Sequence, residues 1–265
     1  MVTIDEIRKI AQPSEKMREE IKSYPFMGGV LRRMSPHFTK FFVEHNITAN
    51  KVTALSILFG IIGGLLFVSG NYFIMLIGCV FCGFWNLFDC VDGEVARVTN
   101  TKTYGGMYLE GIHDPIIESC FLACFGIGLY RTLGSMVFVF FGFTFALCIC
   151  LVDVFNKSRR YAETKIGEKR ERYVFPLMKK KSVTGRIYKS VYRKVRLLFV
   201  FPHAYLILAG MSIFEILFPI KLDYTIHGVT LNVISTYFLL YGFDWTARTI
   251  ISSITNYTYL MKRMV

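Results

Sequence analysis

An all-α, polytopic membrane protein is the fold class this sequence predicts, with six transmembrane helices and an N-terminal interfacial amphipathic helix. Three observations carry the prediction. Of 265 residues, 53% are hydrophobic and only 19% charged, against about 25% charged in ordinary soluble domains. Val52–Phe88 runs for 37 residues without Asp, Glu, Lys or Arg, and Thr132–Val152, Leu197–Phe214 and Tyr224–Phe243 are further such runs. A hydrocarbon core about 30 Å thick needs about 20 apolar residues per helix. A soluble globular enzyme and a disordered chain are excluded. A membrane β-barrel is disfavoured, because its strands alternate apolar and polar residues.

Taken in order, residues 1–51 are charged and amphipathic, so a cleavable signal peptide is not expected. They read as a cytoplasmic, interfacial helical segment. Phe26, Val30, Leu31, Met34, Phe38, Phe41 and Phe42 recur at helical spacing, with Arg32, Arg33 and Lys40 between them, the pattern of a helix lying on a membrane surface. A catalytic transmembrane unit over 52–255 follows, with spans expected at 52–70, 72–91, 107–130, 133–154, 197–219 and 228–255. Gly70-Asn71-Tyr72 divides the longest apolar run into a hairpin, Arg131–Gly134 gives the next turn and Lys221–His227 the last. A basic elbow over 156–196 is too charged to span, and 256–265 forms a short tail.

Lys and Arg sort by side. With both termini cytoplasmic, the inner segments hold 28 of the 31, whereas the outer turns hold only Arg131 and Lys221, and Arg248 falls within the last span. That asymmetry is the positive-inside pattern. The net charge of +12 is thereby a basic cytoplasmic face suited to anionic lipids and phosphorylated substrates, with no need of nucleic acid. The seven cysteines lie in or beside apolar segments without zinc spacing and read as small buried hydrophobes.

The informative residues are acids. Asp89, Asp92, Glu94, Glu110, Asp114 and Glu118 lie at the inner ends of the second and third spans. A carboxylate near hydrocarbon costs several kcal/mol unless paired, hydrated or metal-bound. On a helix, Asp89 and Asp92 stand about 60° apart, and Glu110 and Asp114 about 40° apart. Gly93, Gly105 and Gly106 between the pairs permit close backbone approach. Four carboxylates from two helices can thus converge, a hard-oxygen set suited to Mg²⁺ or Mn²⁺, with room for two ions bridged by a phosphate. Pairing of the acids with Arg97 and Lys102 is the bland alternative, and a cation transporter would also place acids in its spans. His113 points about 100° from Asp114 and reads as a helix-face neighbour rather than a base. Asp244 and Arg248 have the spacing of an intrahelical ion pair.

The stretch Asp89-x2-Asp92-Gly93-x2-Ala96-Arg97-x8-Gly106-x3-Glu110-x3-Asp114 resembles the signature of the CDP-alcohol phosphotransferases, the CDP-alcohol phosphatidyltransferase family. Every spacing matches; one residue departs, Glu110 standing where the family has aspartate. Asn50, Thr53, Ser56 and Gly60 resemble the family's first-span motif, with Ala49 in place of the usual proline, and residues 155–172 resemble its basic elbow. The resemblance covers about residues 25–200. It implies transfer of a phosphoalcohol, in the commonest case phosphatidyl, group from a CDP-linked donor such as CDP-diacylglycerol to an alcohol acceptor, with release of CMP, in phospholipid biosynthesis. It further implies Mg²⁺ or Mn²⁺ held by Asp89, Asp92, Glu110 and Asp114, with Asp114 also the base. Nucleotide contacts fall on Asn50, Thr53, Asp92, Gly93, Ala96, Arg97, Thr103 and Gly106, and contacts to an anionic acceptor on Arg159, Arg160 and Arg196. A homodimer with a cytoplasmic active site is implied as well. The substituted acid leaves open a catalytically weakened relative that serves as a scaffold.

Overall fold

A computed structural model describes residues 2–13, 17, 21, 25–101, 103–166, 201–218, 223–226 and 229–261. Helix α1 (Ile4–Ala11) begins at a capping box: Thr3 Oγ1 accepts from the Glu6 amide at 3.3 Å, and Glu6 Oε2 accepts from the Thr3 amide at 2.8 Å. These bonds, the Thr3 backbone amide first, hold the Glu6 carboxyl below its usual range. Thr-x-x-Glu is a readable helix start, so this helix was available from the sequence. Ile7 and Ala11 are its buried side.

Helix α2 (Pro25–Glu44) lies within the segment expected to be amphipathic and helical. Val30, Met34 and Phe41 are exposed, whereas Arg32, Ser35 and Thr39 are buried. The helix therefore packs into the bundle through a polar strip as well as through Phe42 and Phe38, both of which meet Phe88. The reason is Glu94, fully buried on α4 (Tyr72–Val98). Its Oε1 accepts from Arg32 Nη1 at 3.0 Å, Gln12 Nε2 at 2.8 Å and Ser35 Oγ at 2.7 Å, and its Oε2 accepts from Thr39 Oγ1 at 2.7 Å. One carboxylate gathers the first two helices onto the fourth.

Helix α3 (Ala49–Leu66) passes into a 3₁₀ turn (Phe67–Ser69) and ends at Gly70, φ 69°. Asn71 Oδ1 then caps α4 through the amides of Phe73 and Ile74, so the expected hairpin break is where the chain turns. Helices α3 and α4 cross at backbone contact: a Cβ on Gly63 would stand 3.0 Å from the Gly78 carbonyl oxygen, and one on Gly78 2.9 Å from that of Gly63. Close approach through small residues is the packing device of membrane helices, where apolar side chains gain nothing from leaving lipid.

Helix α4 runs to Val98, beyond the expected end at 91, and α5 (Tyr104–Leu133) starts three residues earlier than expected. Gly93 thus lies within a helix, and the connection shrinks to Thr99–Thr103. Helix α6 (Val137–Ile166) continues twelve residues past its expected end, taking the start of the basic elbow into a helix; residues 167–196 of that elbow lie outside the described residues. Helix α7 (Phe201–Leu217) precedes a two-stranded antiparallel hairpin, β1 (Tyr224–Ile226) and β2 (Val229–Leu231), and α8 (Val233–Met261) closes the chain. The last span was expected from 228, so its first residues are a strand. Thr225, Ile226, Val229 and Thr230 are β-branched, which favours extended pairing over helix.

Among the described residues, four helical segments are long and apolar enough to cross a membrane: Ala49–Ser69, Tyr72–Val98, Tyr104–Leu133 and Val137–Ala162. Helices α7 and α8 occupy the places of the fifth and sixth expected spans. Asp244 and Arg248 of α8 pair at 2.5 Å, as their spacing indicated. Helix α3 packs on α4 and α5, α5 on α6, α6 on α8, and α4 on α7 and α2. Phe67, Phe121, Phe125, Phe145 and Phe238 interlock in the buried core. All seven cysteines are free thiols, four of them buried.

Glu94→Ala should remove the acceptor that Arg32, Gln12, Ser35 and Thr39 share, a loss of about 3–5 kcal/mol for a broken buried pair. Thermal unfolding in detergent should fall sharply, whereas Asp5→Ala, which removes only an exposed pair with Arg8, should leave it within about 0.5 kcal/mol of wild type.

Candidate active site

Where α4 ends and α5 begins, the acids do not share one fate. Glu94 is absorbed by the clamp just described. Asp92, nearly buried, has its Oδ2 engaged by Thr53 Oγ1 at 2.6 Å. Asp89, a turn earlier, keeps 37% of its side chain exposed, and Asp114 keeps 56%. Between these two stands His113, 2% exposed. Its Nε2 lies 3.0 Å from Asp89 Oδ1 and 3.1 Å from Asp114 Oδ1, and its Nδ1 lies 3.1 Å from the Glu110 carbonyl oxygen.

His113, expected as a helix-face neighbour rather than a base, thus makes contact across to a second helix. Adjacent residues on a helix diverge by about 100° at Cα, but an imidazole reaches far enough to meet its neighbour's carboxylate when both lean toward a third group on another helix. Asp89, His113 and Asp114 present ligand atoms within 4.8 Å of one another, the one such group among the described residues. Asp92 and Glu110 are outside that tight group, so two of the four expected carboxylates converge. Glu110 is exposed one turn from Asp114 and contributes its backbone carbonyl to the histidine. Two partly exposed carboxylates and a buried imbalance of acid over base at one helix junction form a donor set that fits a divalent cation.

Beside this group the first turns of α3 and α5 meet. Thr103 caps α5 by accepting from the Gly106 amide at 3.0 Å and donates to Asn50 Oδ1 at 3.3 Å. A Cβ on Gly106 would come within 2.7 Å of Asn50 Oδ1, so glycine is required for this approach. Asn50, Thr103 and Gly106 thus meet at the junction of α3 and α5, and Thr53 of α3 engages Asp92. Ala96 packs with Val52, Val91 and Val95 in a small core. Arg97 donates from Nε to the Ala11 carbonyl at 2.9 Å while its Nη1 lies over Gly93, linking α1 to the end of α4.

On the other side Asp114 opens into a cavity of about 440 Å³ between α5, α6 and α8, lined among others by Glu110, Glu118, Asp153, Lys157, Arg160 and Trp245. A proline sets its wall. Pro115 has no amide proton, so the Gly111 carbonyl one turn earlier lacks its helical donor; Lys157 Nζ supplies one at 2.5 Å while also pairing with Asp153. Lys157, unremarked in the sequence reading, was signalled by proline within an apolar helix. Of the three arginines expected near an acceptor, Arg160 lines the cavity, Arg159 contacts Asn256 Oδ1 of α8 at 3.4 Å, and Arg196 lies outside the described residues.

The family model for CDP-alcohol phosphatidyltransferase matches residues 46–226. A bifunctional IPC transferase and DIPP synthase of Aquifex aeolicus is 28% identical over 109 residues, covering 41% of this chain and 24% of that protein. The chain therefore spans about a quarter of the length of that curated relative. Among solved structures, phosphatidylinositol phosphate synthase of Mycobacterium tuberculosis with CDP-DAG bound superposes with a TM-score of 0.55 at 18% identity, covering 85% of this chain and 94% of the other. The same enzyme in complex with manganese and citrate gives 0.52 at 19% identity, with 84% and 89% covered. These likenesses establish the shared fold of an integral membrane protein.

Thr53→Val removes the hydroxyl that satisfies Asp92 while keeping the side-chain shape. It should cost about 1–3 kcal/mol of stability, read by thermal unfolding in detergent, and Thr53→Ser should recover most of that loss.

Proposed function

The chain belongs to the CDP-alcohol phosphatidyltransferase family, and from that premise we propose that it transfers a phosphoalcohol, here phosphatidyl, group from CDP-diacylglycerol to the hydroxyl of a water-soluble alcohol, releasing CMP. The observation that carries the reading is the pair Asp89 and Asp114, donated by two helices and both partly exposed, with Asp114 lining a cavity.

In this reading Asp89, Asp92, Glu110 and Asp114 hold Mg²⁺ or Mn²⁺, in a site for two ions. Bound divalent metal neutralises the diphosphate and stabilises the departing CMP. The remaining work belongs to the protein. Asn50, Thr103 and the Gly106 backbone receive the nucleotide at the α3–α5 junction, where small residues at Gly93, Ala96 and Gly106 leave it room. Thr53 orients Asp92. Asp114, facing the cavity, takes the proton from the acceptor hydroxyl as it attacks the β-phosphorus. Arg160, on the α6 side of a cavity otherwise rich in acids, offers a contact for an anionic acceptor, and Arg159 and Arg196 extend that role. The N-terminal helices, both termini and the site lie on the cytoplasmic side, by the asymmetry of Lys and Arg. The bundle of six spans functions as a homodimer in the membrane.

The test is CMP release by purified full-length protein in detergent with CDP-diacylglycerol and Mn²⁺, across serine, inositol, inositol phosphate and glycerol 3-phosphate. One acceptor should support turnover, EDTA should stop it, and Mg²⁺ or Mn²⁺ should restore it better than Ca²⁺, which prefers more ligands at longer distances. Asp89→Ala should abolish transfer. Turnover should fall in the order wild type, Glu110→Asp, Glu110→Gln, Asp114→Asn, the last by at least about 10²-fold. Full activity of Glu110→Gln would show that this position carries no catalytic charge. Absence of CMP release with every acceptor, despite intact Mn²⁺ binding, would favour the scaffold alternative.

A further inference from the structure

His113 is fixed more tightly than a helix-face neighbour needs to be. The Glu110 carbonyl oxygen can only accept, so at 3.1 Å the Nδ1 atom carries a proton. Trp85 of α4 stands edge-on to the ring with centroids 6.4 Å apart and is itself nearly buried. These contacts orient the ring so that Nε2 faces Asp89 Oδ1 at 3.0 Å and Asp114 Oδ1 at 3.1 Å, and the proton it shares with them is the one a cation would displace on binding. A backbone carbonyl holding one imidazole nitrogen while the other faces carboxylates is how proteins prepare histidine to ligate a metal.

We propose that His113 is a metal ligand of this site, giving with Asp89 and Asp114 a mixed nitrogen–oxygen set. The inference rests on the metal-site reading above and goes beyond it, because the four-carboxylate scheme contains no nitrogen. Carboxylate oxygen suits both ions, but Mn²⁺, a transition-metal ion, accepts an added imidazole more readily than Mg²⁺, which keeps to oxygen and water. His113 accordingly biases the site toward Mn²⁺ over Mg²⁺.

Pulsed electron paramagnetic resonance of Mn²⁺ bound to the full-length protein in detergent reads this directly. The wild type should show ¹⁴N hyperfine coupling from one imidazole. His113→Gln should lose the coupling while still binding Mn²⁺, at least about tenfold more weakly, with the Mn²⁺ over Mg²⁺ preference in competition reduced. Mn²⁺ that binds with Asp89-dependent affinity but shows no nitrogen coupling would overturn the ligand assignment and leave the carboxylate site standing; His113 would then be an ion-pair partner between two acids. Coupling that survives in His113→Gln would overturn it too. Mn²⁺ binding indifferent to Asp89→Asn would instead defeat the underlying metal site, and this inference with it.

Discussion

A carboxylate at the end of an apolar helix has three outlets: a counter-charge, water, or a cation. The residues of α4 use them in order along a turn and a half. Glu94 takes the first, with Arg32 and three neutral donors closing over it. Asp92 takes a single hydroxyl, from Thr53. Asp89 is left half open beside His113 and Asp114. The rest of the architecture follows from this partition. Clamping at Glu94 draws α1 and α2 over one flank of the helix, which confines access to the opposite flank, and there the acids remain available.

The same partition explains why the α4–α5 junction is so short. Five residues join the helices, and Thr103 immediately caps the second. A longer connection would let the two acidic helix ends part under their mutual repulsion. Instead Asn50 reaches from α3 to Thr103, and Lys157 reaches from α6 to the carbonyl that Pro115 leaves open on α5. Two neighbouring helices thus hold the first turns of α5 in place, each through a polar contact at the acidic end, while close glycine crossings such as Gly63 on Gly78 hold the apolar part. Position at the site is supplied by polar bonds and adhesion along the bundle by packing.

Much of this was legible in the sequence. Apolar runs revealed the helices, Gly70 and Asn71 their first break, and the spaced acids and glycines the junction. Three things were hidden, each for a physical reason. Hydropathy falls at Asp89, so α4 seemed to stop where only its lipid-facing part stops; the helix persists because Glu94 finds partners in helices distant in sequence. The amphipathic pattern of α2 was legible but not the polar strip it buries, because the partner of that strip, Glu94, is distant in sequence. The contact of His113 with Asp89 was hidden because helical angles describe one isolated helix and not the partner that a second helix offers.

In the proposed reaction α4 and α5 jointly build a metal site between Asp89 and Asp114. Anomalous diffraction at the manganese edge, on crystals of the protein grown with Mn²⁺ and CDP, addresses it most directly. The account predicts an anomalous peak within coordination distance of Asp89 Oδ1 and Asp114 Oδ1, with nucleotide density toward Asn50 and Thr103. Manganese bound elsewhere, with this junction empty in a preparation that still releases CMP, would contradict it.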